Sequence, residues 1–336
     1  MVTMRRRTVL LGLLVTAAGG AGLAACSAET GVGTGGVTTP SGSAAPILAS
    51  TTGSSLGPQR VTRYAPPPGS APARSFALGR RDFSFDRGAD RPLPTRVWYP
   101  AQGEPAAVAD PVDGALPADG RFPLIIFSHG LTSSPNDFAA LLSRWAQAGF
   151  VVAGPTFPHT AYGVADFDSD DIVNQPADVR HVLDQLLALP GDPLRDIIDP
   201  DRLAAAGHSG GGITTVGLFS AERDDRLKAG VVIAGTDFQG APFTGPGAGM
   251  MFVHGRDDDT VEYGAGKTVF EAVPWSRAML SITEGGHVIT DADFETITGT
   301  TTEFLRWSLY GDAAAQARIP AAAAAVDGVG TLENEL

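Results

Sequence analysis

The chain has 336 residues, 43% hydrophobic and 18% charged: enough apolar material for one large α/β domain and too much for wholesale disorder. A formal net charge of −13 argues against a nucleic-acid partner, which needs clustered Lys and Arg, and against electrostatic adhesion to anionic lipid. With one cysteine, Cys26, there is no internal disulfide, so the core alone must hold the domain together.

In chain order, Arg5-Arg6-Arg7 precede an apolar run over 9–25 that is interrupted by Gly12, Gly19, Gly20 and Gly22 and ends in Leu23-Ala24-Ala25-Cys26. A basic start, a short apolar stretch and small residues before a cleavage point describe an export signal over 1–25 rather than a permanent transmembrane helix. The Leu-Ala-Ala-Cys ending resembles the bacterial lipobox. That implies cleavage before Cys26 and diacylglycerol on its sulfur, anchoring the exported protein to the outer face of the cell membrane. Arg6-Arg7 also resembles a twin-arginine signal. Residues 26–73, rich in Gly, Ser, Thr and Pro, bury too little to offset their ordering entropy and are expected to form a flexible tether.

Residues 74–310 are expected to be the catalytic domain, with strands alternating with amphipathic helices. Residues 75–85 and 95–99 predict an antiparallel opening pair. The run 123–128 is continuously apolar, as a strand buried on both faces should be. Ser134 followed by Pro135 opens a helix in the N-cap and first-turn manner, with Phe138, Leu141, Leu142 and Trp145 on one face. A strand over 150–153 follows, then a helix marked by Val179, Val182, Leu183, Leu186 and Leu187 at helical spacing. Further strands are expected at 203–206, 229–234, 250–253 and 278–282, and a closing helix over 293–307. Such alternation implies a mostly parallel sheet covered on both faces, with ligands at the carboxyl ends of its strands. Residues 311–336 are expected to be a tail, with a short helix at most.

Gly207-His208-Ser209-Gly210-Gly211 matches Gly-x-Ser-x-Gly between an expected strand and an expected helix, the context in which a serine is presented on a sharp, strained turn. In that arrangement the oxyanion donors are the amide after the nucleophile, Gly210, and one from the loop Ser128-His129-Gly130-Leu131, namely Leu131. The hydroxyl needs a base and the base a carboxylate, in the chain order Ser, acid, His. Two histidines follow Ser209. His254 precedes the acidic run and His287 comes after it, so the order selects His287 as base. The acid lies among Asp257, Asp258 and Asp259.

His254-Gly255-x-x-Asp258-x-x-Val261 is similar to a stretch found in many α/β hydrolases, in which the Asp is the triad acid; the resemblance implies Asp258. Together with Arg96-Val97-Trp98-Tyr99-Pro100, Ser128-His129-Gly130 and Gly207–Gly211, it makes residues 75–310 resemble the dienelactone-hydrolase-like and platelet-activating-factor-acetylhydrolase-like esterases. The nucleophile, acid and histidine motifs are also similar to those of actinobacterial cutinase-type polyester hydrolases. The implied protein has the α/β-hydrolase fold and cleaves small-molecule or lipid-like carboxylic esters, with short acyl chains, through Ser209, His287 and Asp258. Alternatives are an acyltransferase with the same triad, a lipase or polyester hydrolase, and a non-catalytic surface-binding lipoprotein.

His129, His208, Phe157 and His159 are expected to help bind substrate, with Thr236, Asp237 and Phe238 opposite; the alternative for His129 is a structural hydrogen-bonder within its own loop. Asp166, Asp168, Asp170 and Asp171 suggest calcium, but an EF-hand loop needs Gly and Glu where this chain has Asp171 and Ala177. With no Cys/His cluster and no phosphate loop, neither a metal nor a cofactor is expected.

Overall fold

The computed structural model describes residues 62–106 and 110–336. The expected export signal, Cys26 and the tether up to residue 61 lie outside the described residues. Among those described, no helix is long and apolar enough to cross a membrane.

The chain runs through strands β1 (Ala77–Asp86), β2 (Pro92–Ala101), β3 (Val112–Asp113) and β4 (Phe122–Ser128), helix α1 (Ala139–Gln147) and strand β5 (Val151–Pro155). It continues through α2 (Gln175–Ala188), α3 (Pro193–Ile197), β6 (Ile198–His208), α4 (Gly210–Gly217), β7 (Leu227–Ile233) and β8 (Gly249–Gly255). Helix α5 (Tyr263–Ala272), β9 (Arg277–Ile282), α6 (Asp291–Tyr310), α7 (Ala313–Ala323) and β10 (Gly330–Glu335) complete it. One sheet has the order β10-β9-β8-β7-β6-β4-β5-β2-β1-β3. From β5 to β9 all neighbours are parallel, while β1–β2, β2–β5 and β9–β10 are antiparallel. This is the α/β-hydrolase architecture.

The apolar run of β4 shows why the sheet is central. Leu124 and Ile126 enter the core on one face with Val179, Val182 and Leu186 of α2 and Phe270 of α5. Ile125 and Phe127 enter the other with Leu141 and Trp145 of α1, Phe304 of α6 and Ile319 of α7. All four β4 side chains are fully buried, so truncating one to Ala would cost about 2–5 kcal/mol. Before α1, Pro135–Phe138 forms a 3₁₀ turn capped by Ser134, whose backbone N–H donates to the Asp137 carboxylate.

Both expected domain boundaries need correction. The tether was expected to reach residue 73, yet from Thr62 the chain is fastened to the domain: the Thr62 amide donates to Pro274 O, the Tyr64 amide to Ser276 Oγ and the Ala71 amide to the Asp312 carboxylate. Residues 311–336 are part of the fold rather than a tail. Helix α7 buries Ala315, Ile319 and Ala323 in the same core cluster as Phe304 and Leu305 of α6, and β10 pairs with β9 from Gly330↔Ile282 to Glu335↔Arg277.

Candidate active site

Ser209 sits between the end of β6 and the start of α4 with φ 54° and ψ −120°, a conformation that costs a non-glycine residue energy and aims its side chain above the sheet. The turn is possible because its neighbours are bare. A β-carbon at Gly207 would overlap the Gly211 carbonyl, and one at Gly211 would overlap the carbonyl of Ser128. The Ser209 amide donates to Ile233 O of β7 at 2.9 Å, which fixes the turn to the sheet.

Two loops at neighbouring strand ends bring the other groups to the serine. His287, in the loop after β9, has Nε2 2.8 Å from Ser209 Oγ and Nδ1 2.9 Å from Asp258 Oδ2. Asp258, after β8, is buried, and its Oδ1 accepts the Thr260 and Val261 amides at 2.9 and 2.8 Å. Burial alone would raise its pKa. The hydrogen bonds from His287, Val261 and Thr260 outweigh that, and the carboxyl is held below the usual range. Of the three adjacent aspartates only Asp258 turns inward; Asp257 and Asp259 are exposed. The loops close tightly, since a β-carbon at Gly255 would overlap the Gly285 carbonyl.

Leu131 and Gly210 also come together: a β-carbon on Gly210 would lie 3.5 Å from the Leu131 amide nitrogen. Gly210 is the first residue of α4, so its N–H has no partner within the helix and lies at the positive end of the helix dipole. The Leu131 loop is braced by Thr132 N–H donating to Thr160 O at 2.7 Å.

The four residues expected to bind substrate separate. His208 lines the cleft. His129 and Phe157 do not: both are buried beneath the rim, where the Phe157 amide donates to His129 Nε2 at 3.1 Å and His129 Nδ1–H donates to Gly130 O at 2.7 Å. With both ring nitrogens used, His129 is a loop brace. His159 is also outside the cleft lining, its Nδ1 2.8 Å from the Asp166 carboxylate. Two other acidic residues of that segment, Asp168 and Asp171, have protein partners. Asp168 accepts from the Asp170 amide, while Asp171 binds Arg91 and Asn174.

The cleft beside Ser209 has a volume of about 460 Å³. Its walls come from residues not singled out in the sequence for this purpose: Phe138 and Leu141 on one side, Val288, Ile289 and Phe294 on the other. The signal for the second wall was present, as the apolar pair Val288-Ile289 directly after His287. Asp137 and Asp291 are the only charged residues among the lining groups apart from the histidines.

A family model described as chlorophyllase matches residues 89–241, which include Ser209 and the Leu131 loop but neither Asp258 nor His287. Cutinase est1 of Thermobifida alba is 29% identical over 164 residues, 44% of this chain and 50% of that protein. The chain thus spans about half the length of that curated relative. A ferulic acid esterase from Streptomyces cinnamoneus superposes with a TM-score of 0.54 at 24% identity, over 67% of this chain and 78% of that one. By fold the chain is an α/β hydrolase, and part of it is similar in sequence to a cutinase.

Proposed function

We propose that the protein is a serine hydrolase that cleaves neutral carboxylic esters with short acyl chains through an acyl-enzyme. Ser209 is the nucleophile, His287 the base and Asp258 the carboxylate that orients it. The observation that carries this reading is the unbroken pair of hydrogen bonds from Ser209 Oγ through His287 to the buried Asp258, at 2.8 and 2.9 Å.

Ser209 Oγ attacks the ester carbonyl carbon as its proton passes to His287 Nε2. Charge then develops on the carbonyl oxygen against the Leu131 and Gly210 N–H groups, donors fixed in advance, so the transition state is favoured over the ground state. Asp258, kept ionised, stabilises the imidazolium. Collapse expels the alcohol, which takes the proton from His287 and leaves the acyl group on Ser209. Water, deprotonated by His287, then attacks the acyl-enzyme, and Ser209 recovers its proton as the carboxylic acid departs.

The apolar walls and the two carboxylates at the rim favour an uncharged acyl group. The test is hydrolysis of p-nitrophenyl esters from acetate to palmitate. Turnover should fall with chain length, and Ser209→Ala should reduce it on the order of 10⁶-fold. Ester turnover that survives the substitution would remove Ser209 from the mechanism.

A second reading, a lipase-like or polyester-degrading enzyme, draws support from Tyr162, Phe238 and Val288, large apolar side chains exposed by 81%, 56% and 68% on loops after β5, β7 and β9. A rate that rises when the ester is presented as an emulsion or film would favour it.

We also propose export and attachment to the cell membrane through lipid on Cys26, supported by the Leu23-Ala24-Ala25-Cys26 motif. Cys26→Ser should fail to incorporate labelled fatty acid and leave the membrane fraction. A variant retained there would refute the anchor.

A further inference from the structure

We infer that His254 is a positioning residue for the Asp258 carboxylate, and that Gly266 is required to make room for it. The inference rests on the triad proposed above.

His254 is the second-last residue of β8, four residues before Asp258, and is buried. Its Nε2 lies 2.7 Å from Val261 O and 3.3 Å from Asp258 Oδ2. Both neighbours are acceptors only, so Nε2 carries the proton and shares it between them. Burial lowers the pKa of this imidazole more than Val261 and Asp258 raise it, which keeps the ring neutral. The oxygen it addresses is Oδ2, the one that also takes the shorter bond from His287 Nδ1.

The other edge of the ring faces α5. A β-carbon at Gly266 would overlap His254 Nδ1 and Cε1, so no side chain fits there while the imidazole keeps its place. Tyr263 packs edge-on to the same ring, with centroids 5.9 Å apart.

The acid loop is therefore closed on itself. Asp258 Oδ1 holds the amides of Thr260 and Val261, while the carbonyl of Val261 and Oδ2 of Asp258 are both held by the His254 proton. Without that donor, Oδ2 has only His287 and the carboxylate is freer to turn about its last bond. His254 touches neither the serine nor the cleft, so its effect on the reaction passes entirely through Asp258.

The experiment compares His254→Leu, His254→Gln and Gly266→Ala in the full chain. The side-chain amide nitrogen of Gln reaches about as far as Nε2 and donates, whereas Leu fills space without a donor. The readouts are kcat and KM on p-nitrophenyl butyrate, and the low-field proton resonance of the His287 Nδ1–H bond to Asp258. His254→Leu should lose kcat on the order of 10- to 100-fold with KM little changed, as expected for a small misplacement of a catalytic group. Its low-field resonance should move or broaden away. His254→Gln should recover most of both, and Gly266→Ala should copy the Leu variant.

Equal losses in Leu and Gln that follow their melting temperatures would make His254 a packing residue and overturn the inference. So would a Leu variant with wild-type kcat and resonance. Should the wild-type protein show no Ser209-dependent turnover, the functional reading fails, and the resonance still decides whether His254 sets the Asp258–His287 bond.

Discussion

Lowering the pH from 7.5 to 5 should destabilise the protein by about 4 kcal/mol through two buried imidazoles, at about 1.4 kcal/mol per pKa unit. His129 and His208 are both pushed down to about 4, chiefly by burial, against an ordinary value of 6.5. Between those values the unfolded chain binds protons that the native protein does not. Stability is thus fully present above pH 6.5 and is lost as the pH falls towards 4. At pH 5 each histidine accounts for about 2 kcal/mol of that loss, a large share of the 5–15 kcal/mol typical of a domain. Buried carboxylates with lowered pKa, such as Asp171 and Asp258, add nothing in this window because their stabilisation is lost only below about 4. Urea unfolding at the two pH values measures the difference, and in His129→Gln or His208→Gln it should shrink by about 2 kcal/mol. A wild-type unfolding free energy that moves by less than about 1 kcal/mol would refute the reasoning.

On the proposed mechanism, replacing Asp258 should cost far more than replacing its neighbours. Asp258→Asn should lower kcat on the order of 10⁴-fold, while exposed Asp257→Asn and Asp259→Asn stay near wild type, as steady-state kinetics would record. p-Nitrophenyl hemisuccinate should react at least about 10-fold more slowly than the butyrate in kcat/KM, because Asp137 and Asp291 repel its carboxylate. Equal rates would remove charge selection. Gly211→Ala sets a methyl against the Ser128 carbonyl, which no side-chain rotation relieves; it should lower stability by about 3 kcal/mol and abolish turnover, as thermal unfolding and the ester assay would show.

The centre of the fold and the turn that carries Ser209 were legible in sequence because each obeys a short-range rule. The β4 run alternates between two cores, and Gly207, Ser209 and Gly211 answer a local steric demand. Asp258 was reachable only through its resemblance to a known motif, since nothing in three adjacent aspartates says which one turns inward. The cleft walls were not legible. Phe138, Leu141 and Phe294 carry the same periodic signal as residues that face the core, and only the placement of α1 against α6 turns them towards Ser209. The ends were misread for a related reason. In β10, Leu332 is the one large apolar residue from Gly330 to Glu335, and the strand exists through its non-local ladder with β9.

Histidines link the two subjects, site and stability. The oxyanion loop is held by His129, through Gly130 O and the Phe157 amide. The base loop is held by His208, whose Nε2–H donates to the His287 carbonyl at 2.7 Å. The acid loop is held by His254, through Val261 O and Asp258. Each of the three uses a neutral ring to tie one loop at the carboxyl end of the sheet, and each has its pKa lowered chiefly by burial. Imidazole suits the task because it fills an apolar gap and still offers a directed N–H to a carbonyl. The same choice makes the site sensitive to acid. A second proton on His129 would put two donors, its Nε2–H and the Phe157 N–H, face to face. That loop should therefore loosen in the pH range in which the whole protein loses stability, and local opening at Thr132, whose amide donates to Thr160 O, should rise with the global unfolding equilibrium when followed by hydrogen exchange.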